Sequence, residues 1–121
     1  MKYIPPSAER WIQGRGYKKQ ILLTESGLRC PGTLVQLVVI EPHAEVPFHY
    51  HNKITEVFHI IAGTGSMTVA GKTVALSPGD TLTTEPQELH NAVNTSDAPL
   101  RYMVFKTNAT EGDSVWPAEQ G

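Results

Sequence analysis

Residues 43–63 read HAEVPFHYHNKITEVFHIIAG, and the rest of the chain is organised around them. The stretch carries His49, His51 and Glu56: a His-x-His pair, four residues, then a carboxylate. The segment around the histidines is strand-like in composition. Side chains two apart on a strand share a face and stand roughly 6.5–7 Å apart, so two imidazoles can converge on one ion. Glu56 joins them if Asn52 and Lys53 turn the chain back beside itself. His90, further along, is available as a fourth ligand. Neutral imidazoles with one carboxylate suit a single divalent transition metal: iron, manganese, nickel, zinc or copper.

Working outward, Thr33–Glu41 (TLVQLVVIE) is the clearest strand, apolar on both faces except at Gln36, so both faces are expected to be covered. Ile54–Ala62 is a second strand. If Glu56 points inward, Ile54, Phe58 and Ile60 do too, and Thr55, Val57, His59 and Ile61 point out. By that alternation His59, three residues from Glu56, is not a ligand. Tyr17–Thr24, Ser66–Ala70, Thr73–Leu76, Thr81–Thr84, His90–Val93 and Leu100–Thr107 complete the expected strands. Pro42 and Pro47 bracket a short loop, Glu25–Gly32 is a loop, and Gly71-Lys72 makes a tight turn. Strands recurring every eight to twelve residues between turns imply an all-β sandwich or barrel.

Composition agrees with one domain over residues 1–121: an arm at 1–16, a barrel core at 33–107 and a tail at 108–121. Hydrophobic content of 40% with 18% charged residues is that of a soluble globular chain. A formal net charge of −2 gives no electrostatic case for nucleic acid or an anionic membrane surface. No apolar run approaches the roughly 20 residues that span a bilayer. The single cysteine, Cys30, forms no internal disulfide and fits a reducing cytoplasm. Trp116-Pro117 in the otherwise polar tail is expected to dock on the body.

At these residues the chain resembles the cupin family. Its first signature is a glycine, five residues, His-x-His, three or four residues, Glu, six residues and Gly. His49, His51, Glu56 and Gly63 keep that spacing, with His43 in place of the opening glycine. The second signature is Pro-x-Gly, two residues, His, three residues and Asn. Here Pro86-Gln87-Glu88-Leu89-His90 is followed by Asn94, without the glycine and with the proline one residue closer. The resemblance implies a double-stranded β-helix, a jelly-roll barrel with a metal in its mouth on His49, His51, Glu56 and His90. Asn94 is read as structural, because asparagine at a strand end bonds the local backbone. Glu88 is read as a turn carboxylate and His43 as a surface residue.

The implied function is an enzyme with open metal positions for a small molecule, closest to non-heme oxygenases, in which a displaced Glu56 acts as base. A sugar- or effector-binding barrel without catalysis and a metal-dependent isomerase are the alternatives. Phe58, Ile60, Met67, Met103 and Phe105 are candidate pocket residues, and Arg29, Tyr102 and Arg101 candidate polar ones. Lys18-Lys19 is read as a solvated strand start. The apolar outward faces, with Met1–Ala8 as a swapped arm, imply a homodimer. A tail folded back over that face is the rival.

Overall fold

The computed structural model describes residues 1–119, so Gln120 and Gly121 of the expected tail lie outside the described residues. Among the described residues eleven strands are joined by turns and short loops: β1 (Ile12–Gln13), β2 (Lys18–Leu23), β3 (Leu34–Ile40), β4 (Glu45–His51), β5 (Thr55–Ala62), β6 (Gly65–Val69), β7 (Lys72–Leu76), β8 (Thr81–Thr84), β9 (His90–Val93), β10 (Leu100–Thr107) and β11 (Ser114–Val115). They form two antiparallel sheets, β1-β2-β3-β10-β5-β8 and β11-β4-β9-β6-β7. Between the sheets lie Val38, Ile40, Phe58, Ile60, Tyr102 and Val104 from the first and Val46, Met67, Leu76 and Ala92 from the second. This is the double-stranded β-helix that the signatures imply.

The phase of β5 is as the sequence predicts. Glu56, Phe58 and Ile60 are buried, whereas His59 and Ile61 are exposed. Three local expectations need correction. The loop at 25–32 opens with a one-turn helix, α1 (Glu25–Leu28), closed by Arg29 at φ 55. Its N-terminal residue Glu25 also fixes the loop, because its carboxylate accepts the Gly32 N–H at 2.7 Å. The loop between Pro42 and Pro47 is shorter than expected, since β4 begins at Glu45. Pro47 has no N–H to give a ladder, and the β4–β9 register shifts between Val46 and His49 to accommodate it. The hairpin turn after β6 is Ala70-Gly71, both at positive φ, one residue earlier than expected.

The two places where the signature glycines are missing keep the backbone that glycine would favour. His43 has φ 63 and Gln87 has φ 69. The glycine that is kept, Gly63, has no such latitude: at φ 82, a Cβ there would lie 2.2 Å from the carbonyl oxygen of Pro99. Asn94 is structural, as expected. It is fully buried, and its amide donates to the carbonyls of Ile40, Glu41 and Ala98. That ties the end of β9 to the end of β3. Among the described residues no helix is long and apolar enough to cross a membrane.

Candidate metal centre

β4 and β5 lie in different sheets, so Glu56 does not reach the histidines by a hairpin return. The chain instead crosses the barrel at 52–54. Asp113, just before β11, holds that corner: its carboxylate accepts the N–H groups of Asn52, Lys53 and Ile54 at 3.0, 2.9 and 3.2 Å. His90 arrives by register, directly opposite His49 across the β4–β9 pair. His49, His51, Glu56 and His90 thus offer four ligand atoms within 4.8 Å of one another. A metal shell with ligands at about 2.1 Å spans up to ~4.2 Å, so the set is near coordination size.

Each ring is aimed by the same device. Nδ1–H of His49 donates to Pro47 O at 2.9 Å, that of His51 to Asp113 O at 3.1 Å, and that of His90 to Glu88 O at 2.8 Å. A histidine that spends Nδ1–H on a carbonyl presents Nε2 as its ligand atom. His51 Nε2 lies 2.9 Å from Glu56 Oε1. His90 Nε2 is 3.4 Å from the same oxygen and, though buried, makes no hydrogen bond. A buried lone pair without a donor is costly, and a metal ion satisfies it. The residues present therefore fit the ion.

Electrostatics point the same way. Burial, then the neighbouring His90, lowers His49 from 6.5 to about 4, so its imidazole is neutral at physiological pH. Burial alone would raise the carboxyl of Glu56. The His51 hydrogen bond, the close approach of His90 and the charge of Lys106 more than offset it and hold Glu56 well below the usual carboxylate range. A neutral His49 ring and an ionised Glu56 carboxylate are forms a metal requires.

The cluster opens into a cavity of about 110 Å³. Phe58 and Met67 line it, as expected from sequence. Ile60 is buried in the core but does not line it. Met103 and Phe105 are corrected: on β10 the inward set is Leu100, Tyr102 and Val104, with Met103 exposed on the other face. Of the polar candidates, Tyr102 lines the cavity, whereas Arg29 and Arg101 are exposed. Burial and the charge of Glu56 raise the Tyr102 hydroxyl, so it remains an O–H donor.

Tyr17, Lys19, Gln36, Lys106 and Trp116 also line the cavity, a role the sequence reading did not give them. Lys19 is not a solvated strand start, because β2 turns it inward. Trp116 docks as expected, but at the site. Its ring stacks on His49 at 4.3 Å with Arg15 above it at 4.4 Å. The tail therefore packs at the site and leaves Ile61 and Met103 exposed on the outer sheet face. Glu88 caps its turn, accepting the Glu85 N–H at 2.7 Å. His43 is an exposed residue beside Asp97.

A family model described as a cupin domain matches residues 36–106, more than half of the chain. An oxalate-binding protein of Thermotoga maritima is 27% identical over 99 residues, covering 78% of this chain and 82% of that one. Among solved structures, the polyketide cyclase RemF of Streptomyces resistomycificus aligns at TM-score 0.76 and 16% identity, over 89% of this chain and 80% of that one. A sugar phosphate isomerase of Silicibacter pomeroyi aligns at TM-score 0.65 and 25% identity, over 79% and 66% of the two chains.

Proposed function

We propose, because the chain belongs to the cupin domain family, that it is a metal-dependent enzyme of the non-heme oxygenase type acting on a small, oxygen-rich acid. The observation that carries this is the convergence of three Nδ1-anchored imidazoles and one carboxylate on the wall of a cavity. Four protein ligands leave open positions on an octahedral ion. Iron or manganese held by His49, His51, Glu56 and His90 would supply Lewis acidity and electron exchange with dioxygen.

The chain's own residues support a small substrate. A cavity of about 110 Å³ is below the 150 Å³ or so that holds a benzene ring. A whole sugar phosphate would leave most of its length outside, which weighs against the isomerase alternative. Trp116, stacked on His49, forms part of the cavity wall. Tyr17, raised by burial and by Glu56, stays protonated as a hydrogen-bond donor. Glu56 is suited to be a ligand while it faces His51. Only if released from His51, His90 and Lys106 together would burial raise its pKa and suit it to act as the base. A binding role without catalysis is the second reading, supported by the name of the Thermotoga relative.

Metal analysis of the protein from its own source, followed by oxygen-uptake assays of the iron- and manganese-loaded forms with glycolate, glyoxylate, oxalate and tartronate, tests this. Uptake with one of the four is expected. Tight binding without turnover would establish the second reading, and a protein that takes up neither metal nor acid would overturn both.

The exposed, free Cys30 is compatible with the cytoplasmic location we assign. We also propose that two chains pair through the outer face of the six-stranded sheet, where Ile61 and Met103 are exposed. Light scattering should give a dimer that Ile61→Glu with Met103→Glu converts to monomer. A wild-type monomer at micromolar concentration refutes it.

A further inference from the structure

The cavity wall beyond the metal cluster carries charge that the metal does not explain. On β10, Lys106 stands opposite Glu56 of β5, and Val104 opposite Gln36 of β3. Tyr102 stands opposite Val38, which in turn faces Lys19 of β2. All seven side chains line the cavity. Gln36 therefore lies on the diagonal between two lysines, at a spacing of about 7–8 Å to each neighbouring row.

Neither ammonium has a carboxylate within ion-pair distance among the described residues. The nearest by register, Glu56, is already engaged by His51 and His90. A divalent ion would leave this pocket with two lysines and the metal against one protein carboxylate. Lys19 feels the deficit, its pKa lowered by burial and then by Lys106. Gln36 is only 5% exposed, and its Oε1 is buried without any hydrogen-bond donor. Buried polar atoms in folded proteins almost always have partners. The wall thus lacks an anion for the lysines and a hydroxyl hydrogen for Gln36.

We propose that Lys19, Lys106 and Gln36 form a recognition subsite for the far end of the substrate, which is a hydroxylated dicarboxylic acid of three or four carbons. This rests on the metal-dependent reading and names the substrate class for it. One carboxylate lies at the His/Glu cluster, the second between the two ammoniums, and the hydroxyl meets the Gln36 side-chain amide. Lys19 and Lys106 select for the second charge, and Gln36 selects for the hydroxyl.

The test is calorimetric binding of tartronate, malonate and glycolate to manganese-loaded protein, with metal content measured on every sample. Tartronate should bind about tenfold or more tighter than glycolate, which lacks the second carboxylate, and tighter than malonate, which lacks the hydroxyl. Lys106→Met and Lys19→Met should each weaken tartronate by about tenfold and leave glycolate unchanged. Gln36→Leu should abolish the preference for tartronate over malonate. Equal wild-type affinity for tartronate and glycolate overturns the proposal without any variant. So does a Lys19→Met/Lys106→Met protein that keeps its metal and its tartronate affinity. If a methionine variant loses metal, Lys19→Gln with Lys106→Gln replaces it under the same criteria. These are affinities, so failure here is distinct from a loaded enzyme that consumes no oxygen.

Discussion

His51→Ala is expected to lose its metal, and His59→Ala to keep it. The two histidines lie on consecutive strands and are close in sequence, yet their environments differ completely. His51 is 5% exposed, with Nδ1 on the Asp113 carbonyl and Nε2 2.9 Å from Glu56. Its removal takes away a ligand and one of the contacts that lower the Glu56 carboxyl. Changing an outer partner of a ligand already costs about 10–100-fold in metal affinity, so losing a ligand should cost more than about 100-fold. His59 is exposed on the outer face, its Nδ1 2.9 Å from the Thr81 hydroxyl. Metal content after gel filtration gives the direct answer. Trp116 gives an independent one: stacked on His49, its fluorescence should be quenched by a paramagnetic ion in wild type and His59→Ala but not in His51→Ala. Equal loss of metal in both variants would break the assignment of faces on β5.

The His/Glu cluster was legible because its residues obey short-range rules. His49 and His51 are two apart on one strand, and Glu56 fixes the phase of β5, placing Phe58 and Ile60 inside and His59 outside. The opposite wall was not legible, because its phase depends on pairing between distant segments. Leu100–Thr107 carries apolar residues on both faces, so nothing local says whether Tyr102 or Met103 points in. The pairing of Lys106 with Glu56 decides it. Lys19 reads as a solvated residue until β2 is laid beside β3, where it stands opposite the inward Val38. Gln36 did leave a local trace as the one polar interruption of an apolar strand. The missing signature glycines show the converse. His43 and Gln87 adopt positive φ without being glycine, at a cost of about 1–3 kcal/mol for a left-handed non-glycine residue.

Chelator-treated protein should melt below the metal-loaded form at neutral pH, and the difference should shrink as the solution is acidified. Metal held only by the folded chain at a hundred times its Kd adds about 2.7 kcal/mol. Protons compete for the same atoms. Metal binding should therefore release protons as the solution is acidified, visible as a dependence of the binding heat on buffer ionisation enthalpy. The chelated protein has its own acid dependence. Burial, then His90, lowers His49 from 6.5 to about 4 in the folded state, so between these values the unfolded chain binds more protons. Stability from this group is full above the unfolded value and falls as pH drops toward 4. At 1.36 kcal/mol per pH unit, this amounts to at most about 3 kcal/mol. Glu56 acts lower. Burial opposes its ionisation, but His51, His90 and Lys106 prevail, so its contribution is present above 4.5 and disappears as pH falls below that value. The chelated protein should thus weaken first from about pH 6.5 downward and again below about pH 4.5, while loaded protein resists until protons displace the ion. Coincident melting curves with and without chelator at neutral pH would show that the four residues hold no metal.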